Sequence, residues 1–371
     1  MTAFTAFEER AMHRALALAA RGLESADPNP RVGCVIAQDG EIVGEGWHRR
    51  AGEAHAEVEA LRAAGERAAG ATVFVTLEPC CHQGRTPPCT DALIAARVSR
   101  VVFALRDPNP RVDGGGAARL AAAGIGIASG LLEAQAAALN AGFVKRMRDG
   151  RPWVRLKTAA SLDGRTALAS GESRWITGEA ARADVHDWRA RSSAVATGIG
   201  TVLADDPRLD VRRTRPPERA PARVVFDTRL RTPPTARLFD APGEVIVLHA
   251  AAGGTASEAG APLAARGARV EAVAAAAGRV DPAAALRRLG ELGMNELWVE
   301  AGPTLAGALL EAGLVDEWLH YLAPKLLGPG ARPLAQWPFL ARLADAPRFS
   351  LAEVTALGED LRLRLVPGGE A

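Results

Sequence analysis

The stretches HAEVEAL at 55–61 and TLEPCCHQGRTPPCTDALI at 76–94 decide how this chain is read. Together they offer one imidazole, His55, two thiols, Cys80 and Cys89, and one nearby carboxylate, Glu57. Three protein ligands leave a tetrahedral zinc ion with one open position, where a water binds and its pKa falls to roughly 7. Glu57 stands two residues from His55, so the two do not share a helix face. It reads as a proton carrier rather than a fourth ligand. The spacing predicts a helix opening at His55 and running to about Ala69. Cys80 follows a strand that Pro79 stops, and Cys89 precedes a second helix. Helix N-termini converging on one point favour thiolates and other bound negative charge. A closed structural zinc with Cys81 as the fourth ligand is the alternative reading. Cys34 reads as a small core residue, and His48 and His82 as side chains within reach of a substrate.

Outward from this core, Phe7 to Arg21 has the periodicity of an amphipathic helix ended by Gly22. Asp27-Pro28-Asn29-Pro30 is a loop, because each proline pushes its predecessor out of the helical region. Val32 to Ile36 and Ile42 to Trp47 are strands joined by an Asp39-Gly40 hairpin turn. Ala71 to Leu77 and Arg100 to Leu105 are further strands, and Asp91 to Ala96 is helical. The hexapeptide Asp-Pro-Asn-Pro-Arg-Val occurs at 27–32 and again at 107–112. Its flanks differ, so it reads as two similar turns and not as a repeat.

The chain has 371 residues, more than one core usually takes, and two domains are expected. Asp149-Gly150-Arg151-Pro152 supplies the boundary, giving domains 1–149 and 150–371. Beyond it, strands are expected at Trp153 to Lys157, Ser193 to Thr197, Arg223 to Asp227, Glu244 to His249 and Glu296 to Glu300. Helices are expected at Glu179 to Arg191 and Pro282 to Leu292. Ala251 to Gly278, rich in alanine and glycine, reads as loops around one helix. Both halves alternate helix and strand on short connections, which is the pattern of layered α/β domains.

A net charge of +2 offers no broad field for nucleic acid or an anionic membrane. No apolar run is long enough to span a bilayer, and MTAFTAFEERAMHR lacks the apolar centre of a signal peptide. A cytoplasmic protein is expected. The four cysteines all fall in the first quarter, a clustering that suggests metal binding more than disulfides. Only Lys145, Lys157 and Lys325 are lysine among 45 basic residues. A lysine kept against that bias marks a place where a compact ammonium is useful.

In the second half, Glu300-Ala301-Gly302-Pro303-Thr304 follows the strand NELWV and opens a helix. Free amides at such an N-terminus can hold a phosphate; an ordinary strand-to-helix turn is the other reading. The GIG at 198–200 is not a full dinucleotide fingerprint. Arg165, Arg189, Arg212 and Arg229, with Ser173 and Thr228, surround the rest of the domain, and each taken singly reads as a solvated surface group. An arginine beside a nucleotide site can accommodate a 2′-phosphate and so select NADPH.

The first half, through HAEVEAL and TLEPCCHQGRTPPCTDALI, resembles the riboflavin-biosynthesis pyrimidine deaminases of the cytidine deaminase superfamily. The eight-residue gap between Cys80 and Cys89 sets this group apart from deaminases with two residues there. The resemblance implies His55, Cys80 and Cys89 as zinc ligands, Glu57 as proton shuttle and Asn29 as a contact to the substrate base. Cys81 departs from the small hydroxyl residue usual there.

LKTAASLDGRTALASGESRWIT, TVLADDPRLDVR and WVEAGPTLAGALLEAGLVDE resemble the riboflavin-pathway reductase, a dihydrofolate-reductase-like α/β fold; the 250–280 region lies outside that match. This implies NADPH contacts at Ala159, Trp175, Thr201, Asp205, Thr228 and Gly302, Pro303, Thr304, Leu305, Ala306, Gly307, Ala308. It implies substrate contacts at Ser173, Arg189, Leu209, Arg212 and Glu300, with Lys157 and Asp205 nearest the ribose as catalytic groups. Arg189 and Arg212 would pair with the substrate phosphate. The expected partners are small pyrimidine ribosyl phosphates, with no nucleic acid and no membrane, and the expected assembly is a homo-oligomer, a dimer or tetramer. An editing deaminase fused to a nucleic-acid module, and a scaffold built on structural zinc, are the competing classes.

Overall fold

The computed structural model describes residues 4–84, 86–251 and 256–368. Arg85, in the loop between the cysteines, lies outside the described residues, as does part of the alanine-rich stretch. Contacts divide the chain into two compact units, 1–150 and 151–371.

The first unit runs α1 Ala6–Ala19, β1 Gly33–Gln38, β2 Glu41–Trp47, α2 Ala56–Ala64, β3 Thr72–Leu77 and α3 Cys89–Ala95. It continues with β4 Arg100–Leu105, α4 Gly115–Ala122, β5 Gly126–Ser129, α5 Glu133–Leu139 and α6 Ala141–Asp149. Its five strands are ordered β2-β1-β3-β4-β5. β1 is antiparallel to β2 and β3; β3, β4 and β5 are parallel. The Asp39-Gly40 turn has positive φ at both residues, 51° and 80°, which suits the right-handed twist of a two-residue hairpin.

Two helices cover opposite faces of this sheet, and missing side chains let them approach. A Cβ on Gly33 would fall 2.0 Å from the Ala15 carbonyl oxygen of α1. One on Gly46 would fall 2.3 Å from the Ala56 carbonyl oxygen of α2. Gly46 pairs with Cys34, the neighbour of Gly33, so the two glycines face opposite ways. On α2 the stripe Ala56, Ala60, Ala64 lies buried against β2. This close seat fixes the start of α2, where His55 is the N-cap and Glu57 lies in the first turn. Gly46→Val will destabilise the unit by about 2–3 kcal/mol through overpacking against helix backbone. Urea unfolding of the variant checks this; a midpoint equal to the parent's would mean α2 is free to lift.

The second unit runs β6 Trp153–Ser161, β7 Arg165–Ala167, α7 Glu179–Ala190, β8 Ala194–Gly198, α8 Ile199–Asp205, β9 Ala222–Phe226 and β10 Val245–Ala250. Then come α9 Ala256–Ala265, β11 Ala268–Val273, β12 Ala275–Ala276, β13 Arg279–Val280, α10 Pro282–Glu291, β14 Glu296–Glu300 and α11 Pro303–Glu311. β15 Glu317–Ala323, β16 Arg332–Pro333, β17 Phe349–Leu357 and β18 Asp360–Pro367 complete it. Nine strands form one sheet ordered β11-β10-β9-β8-β14-β6-β15-β18-β17. The seven from β11 to β15 are parallel, and β18 and β17 add antiparallel. The central strands are continuous apolar runs because both of their faces are covered.

One buried charge cluster ties the centre of the sheet. Arg155 of β6 bonds Glu296 of β14 on one side and Glu317 of β15 on the other, and all three are nearly inaccessible. Such a cluster disfavours any strand order that leaves one of these charges alone.

The expectation of loops around one helix at 251–278 is corrected at β11, which pairs in register with β10 along its length. Its alanine content hides an ordinary edge strand. β17 was not visible in the sequence because most of its residues are exposed and no burial imposes an alternation.

Candidate active sites

In the first unit three donor atoms meet. The ligand atoms of His55, Cys80 and Cys89 lie within 4.8 Å of one another, the one potential metal cluster among the described residues. His55 Nδ1 stands 3.2 Å from Cys89 Sγ and 3.6 Å from Cys80 Sγ. Cys89 is the first residue of α3, and its backbone N–H donates to Cys80 Sγ at 3.3 Å. The Cys89 thiol hydrogen bond and His55 lower the Cys80 pKa to about 4, while the bond to Cys80, together with burial, raises that of Cys89. One imidazole and two thiols are a donor set that fits zinc with one position left open.

Around this cluster, Glu57 is buried at 4% exposure, and burial raises its pKa. Cys81 turns away: its Sγ lies 3.8 Å from the Arg111 carbonyl oxygen. Thr86 Oγ1 lies 3.4 Å from His55 Nε2 and can accept that proton while Nδ1 faces the thiols. His48 packs edge-on against His55, 5.1 Å between centroids. Its Nδ1 faces the Ala54 carbonyl oxygen at 3.1 Å and so carries the proton; Nε2 then accepts from Asn29 Nδ2 at 3.0 Å. That bond leaves the Asn29 carbonyl oxygen for a ligand.

Glu78, in the cysteine motif, has a structural task. Its carboxylate accepts backbone N–H bonds from Asp107, Gly114 and Ala117, pinning the second Asp-Pro-Asn-Pro turn and the start of α4. Burial raises the carboxyl of Asp107 to about 7. Neither Thr86 nor Asp107 stands out in the sequence, because both take their places through loops of irregular path.

In the second unit a cleft of about 840 Å³ opens at the carboxyl ends of β8, β9 and β14. Ligands of open α/β sheets gather at such ends. Thr201, Asp205, Thr228, Gly302, Pro303, Thr304, Leu305 and Ala308 line it. α11 begins there with Gly302 as N-cap, Pro303 in its first turn and no side-chain cap, so its first amides face the cleft unpaired by the cap. Ala306 and Gly307 are not among the residues that line the cleft. Ala306 is in the apolar core, and a Cβ on Gly307 would fall 1.9 Å from the Gln336 carbonyl oxygen. Helical periodicity turns these two away while Leu305 and Ala308 face inward.

Ala159, Ser173 and Trp175 do not line this cleft. Trp175 is 63% exposed, with the Arg182 guanidinium 4.5 Å from its ring centre. The Leu209 side chain is packed in a core cluster with Trp298 and Tyr321, leaving only its backbone for a ligand.

The remaining predicted residues meet at the ends of β6 and β14. Glu300 and Lys157 are register partners on these adjacent strands. Burial lowers the Lys157 pKa, and Glu300 opposes that shift. Arg189 grips Glu300 with two bonds, Nε to Oε1 at 2.5 Å and Nη2 to Oε2 at 2.9 Å, and gives Nη1 to the Asp210 carbonyl oxygen. Trp298 Nε1 donates to the same carboxylate at 2.8 Å. These partners outweigh burial and lower Glu300 to about 2. Arg212 is exposed and ion-paired with Asp210.

The first unit carries the cytidine and deoxycytidylate deaminase zinc-binding region, matched over residues 5–105. The RibD C-terminal domain family matches residues 152–363, a span that includes the stretch expected to fall outside the resemblance. Riboflavin biosynthesis protein RibD of Escherichia coli (strain K12) is 51% identical over 370 residues, covering 97% of this chain and 99% of its own. The Haemophilus influenzae protein of the same name is 48% identical and covers 96% and 97%. The chain belongs to the RibD family. Among solved structures, Acinetobacter baumannii RibD superposes with a TM-score of 0.90 at 47% identity, over 98% of this chain and 99% of that one. The deaminase/reductase from Thermotoga maritima gives 0.84 at 33% identity, over 98% and 99%. Like the RibD family, this chain is a bifunctional enzyme of riboflavin biosynthesis, a deaminase that uses zinc and a reductase that uses NADPH. No described helix is long and apolar enough to cross a membrane.

Proposed function

We propose that the two clusters divide two consecutive steps on one pyrimidine ribosyl phosphate. The observation that carries this reading is the convergence of His55, Cys80 and Cys89 beside the buried Glu57. His55 Nδ1 and the sulfurs of Cys80 and Cys89 would hold zinc. When bound, zinc supplies the Lewis acidity that makes a water nucleophilic near neutral pH. Glu57 takes the proton from that water and delivers it to the substrate, so that ammonia leaves as water adds. Asn29, oriented by His48, accepts from the base. The substrate is the diamino-hydroxy-phosphoribosylamino-pyrimidine, and the product is the aminouracil ribosyl phosphate.

In the second unit the cleft would hold NADPH: the free N–H groups of Gly302 and Thr304, on either side of Pro303 at the start of α11, would take its pyrophosphate, and Thr201, Asp205, Thr228, Leu305 and Ala308 would line the rest. The cofactor would supply a hydride to the carbonyl or imine carbon of the opened sugar, and a proton taken up at the adjoining oxygen or nitrogen completes the change from ribosyl to ribityl. The Lys157 ammonium polarises the opened sugar, with Asp205 at the rim. Glu300 orients the sugar hydroxyls and is itself positioned by Arg189. With Arg189 already committed, the substrate phosphate falls to Arg212, backed by Ser173 and the Leu209 backbone. Ala159 and Trp175 stay as contacts nearer the nicotinamide.

Exposed Leu351 and Val354 on the outermost strand support a homo-oligomer, a dimer or tetramer, and the near-neutral charge supports a cytoplasmic enzyme. Zinc content tests the ligand set. Cys80→Ser is expected to lose the metal, and Cys81→Ser to keep a full equivalent. Loss of zinc in Cys81→Ser, measured by atomic emission on the pure chain, would return the site to the four-ligand structural reading.

A further inference from the structure

The Glu300 carboxylate is held unevenly by its neighbours. A carboxylate offers about four lone-pair sites, two on each oxygen. Oε1 accepts from Arg189 Nε at 2.5 Å and from Trp298 Nε1 at 2.8 Å, so its sites are filled. Oε2 accepts from Arg189 Nη2 at 2.9 Å and from no other side chain among the described residues. One site on Oε2 is left for a hydroxyl of a ligand. Arg189 touches both oxygens alike; the indole of Trp298 is what makes them unequal.

The strand places Trp298 for this bond. Trp298 and Glu300 are two residues apart on β14, so their side chains leave the same face of the sheet. Trp298 is fully buried, packed with Val195, Leu209 and Tyr321. A buried indole N–H needs an acceptor, and Glu300 Oε1 is the acceptor it meets. Phenylalanine would fill most of the same space and supply no donor, so packing alone does not call for an indole here. The ring is also fixed in direction. Trp188 stacks on it, with centroids 5.9 Å apart and planes 7° from parallel. Trp188 is flanked in turn by the guanidinium groups of Arg155, Arg191 and Arg362, 5.2, 4.6 and 5.6 Å from its ring centre. One helix, α7, thus carries both Trp188, which sets the indole, and Arg189, which grips the carboxylate.

We propose that Trp298 is a positioning residue of the reductase: its indole N–H occupies Oε1 of Glu300 and so turns the open site of Oε2 to the sugar hydroxyls, beside Lys157 on the neighbouring strand. This rests on Glu300 being the contact to the sugar.

The test uses the full chain, with circular dichroism as the check on each fold. Trp298→Phe keeps a ring to stack on Trp188 and removes the N–H. Its KM for the aminouracil ribosyl phosphate is expected to rise about tenfold, from loss of a charge-assisted bond. Its KM for NADPH is expected to change less than about twofold. Trp298→Met, with an adaptable side chain, removes the same N–H should the phenylalanine variant not fold. Trp188→Phe loosens the same packing with the N–H in place, and is expected to raise the sugar-phosphate KM less than about threefold. Glu300→Asp keeps a charge opposite Arg189 and draws the oxygens back from the sugar, which is expected to raise that KM at least about tenfold. Added to Glu300→Asp, Trp298→Phe is expected to cost less than about a further twofold, because the two residues share one interaction. Equal rises in Trp298→Phe and Trp188→Phe, or full additivity with Glu300→Asp, would overturn the positioning role and keep Glu300 as the sugar contact. So would an unchanged KM in Trp298→Phe beside a raised one in Glu300→Asp. An unchanged KM in Glu300→Asp would overturn the sugar contact, and the role of Trp298 with it.

Discussion

Glu57→Gln will keep zinc and lose deamination by about 10³-fold, within the range general acid–base groups supply. The substitution preserves volume and hydrogen-bonding reach in a position only 4% exposed, so packing around the first turn of α2 is undisturbed. What it removes is basicity. The imidazole and two thiols that hold the metal are unchanged, so metal content by atomic emission stays at one equivalent. NADPH oxidation on the aminouracil phosphate, carried by the second unit, continues at the parental rate. Ammonia release at more than a tenth of the parental rate would show that some other group moves the proton.

Arg189→Met will unfold the second unit more easily and stop reduction. Its two bonds to Glu300 are the chief compensation for a carboxylate buried at the sheet's end. With the guanidinium gone, only Lys157 and the Trp298 indole remain beside that charge. Removing one partner of a buried pair costs about 3–5 kcal/mol, because the other is left uncompensated. Adding Glu300→Leu is expected to recover most of the stability and none of the reductase activity, which separates a folding role from a chemical one. A single variant within 1 kcal/mol of the parent by denaturant unfolding would mean that water already solvates Glu300 (~1 kcal/mol being the ceiling for an exposed pair).

The two predictions draw on different kinds of information. His55, Glu57, Cys80 and Cys89 were legible because each lies at the end of a helix or strand that the local pattern defines. Their chemistry follows from residue type and spacing. The pairing of Arg189 with Glu300 was not legible: 111 residues separate them, and nothing local distinguishes Arg189 from an arginine on the surface. Arg189 was therefore expected on the substrate phosphate, a place its committed N–H groups leave to Arg212. Within the run Gly302 to Ala308, helix rotation turns the Ala306 side chain into the core and sets Gly307 against Gln336, which local spacing does not reveal.

By itself the sequence marked the candidate metal donors and the candidate proton carrier, and determined the two α/β halves and most central strands, because these depend on short spacings and on burial of contiguous apolar runs. The edge strands β11 and β17 escaped it, since alanine content and solvent exposure erase the pattern. Tertiary structure alone decided which charges meet. It set Lys157 beside Glu300 by strand register, turned Cys81 away from the cluster of His55, Cys80 and Cys89, and buried the Asp227 carboxylate against Thr232. Charge pairing depends on distance across the fold, which strand order fixes and local sequence does not record.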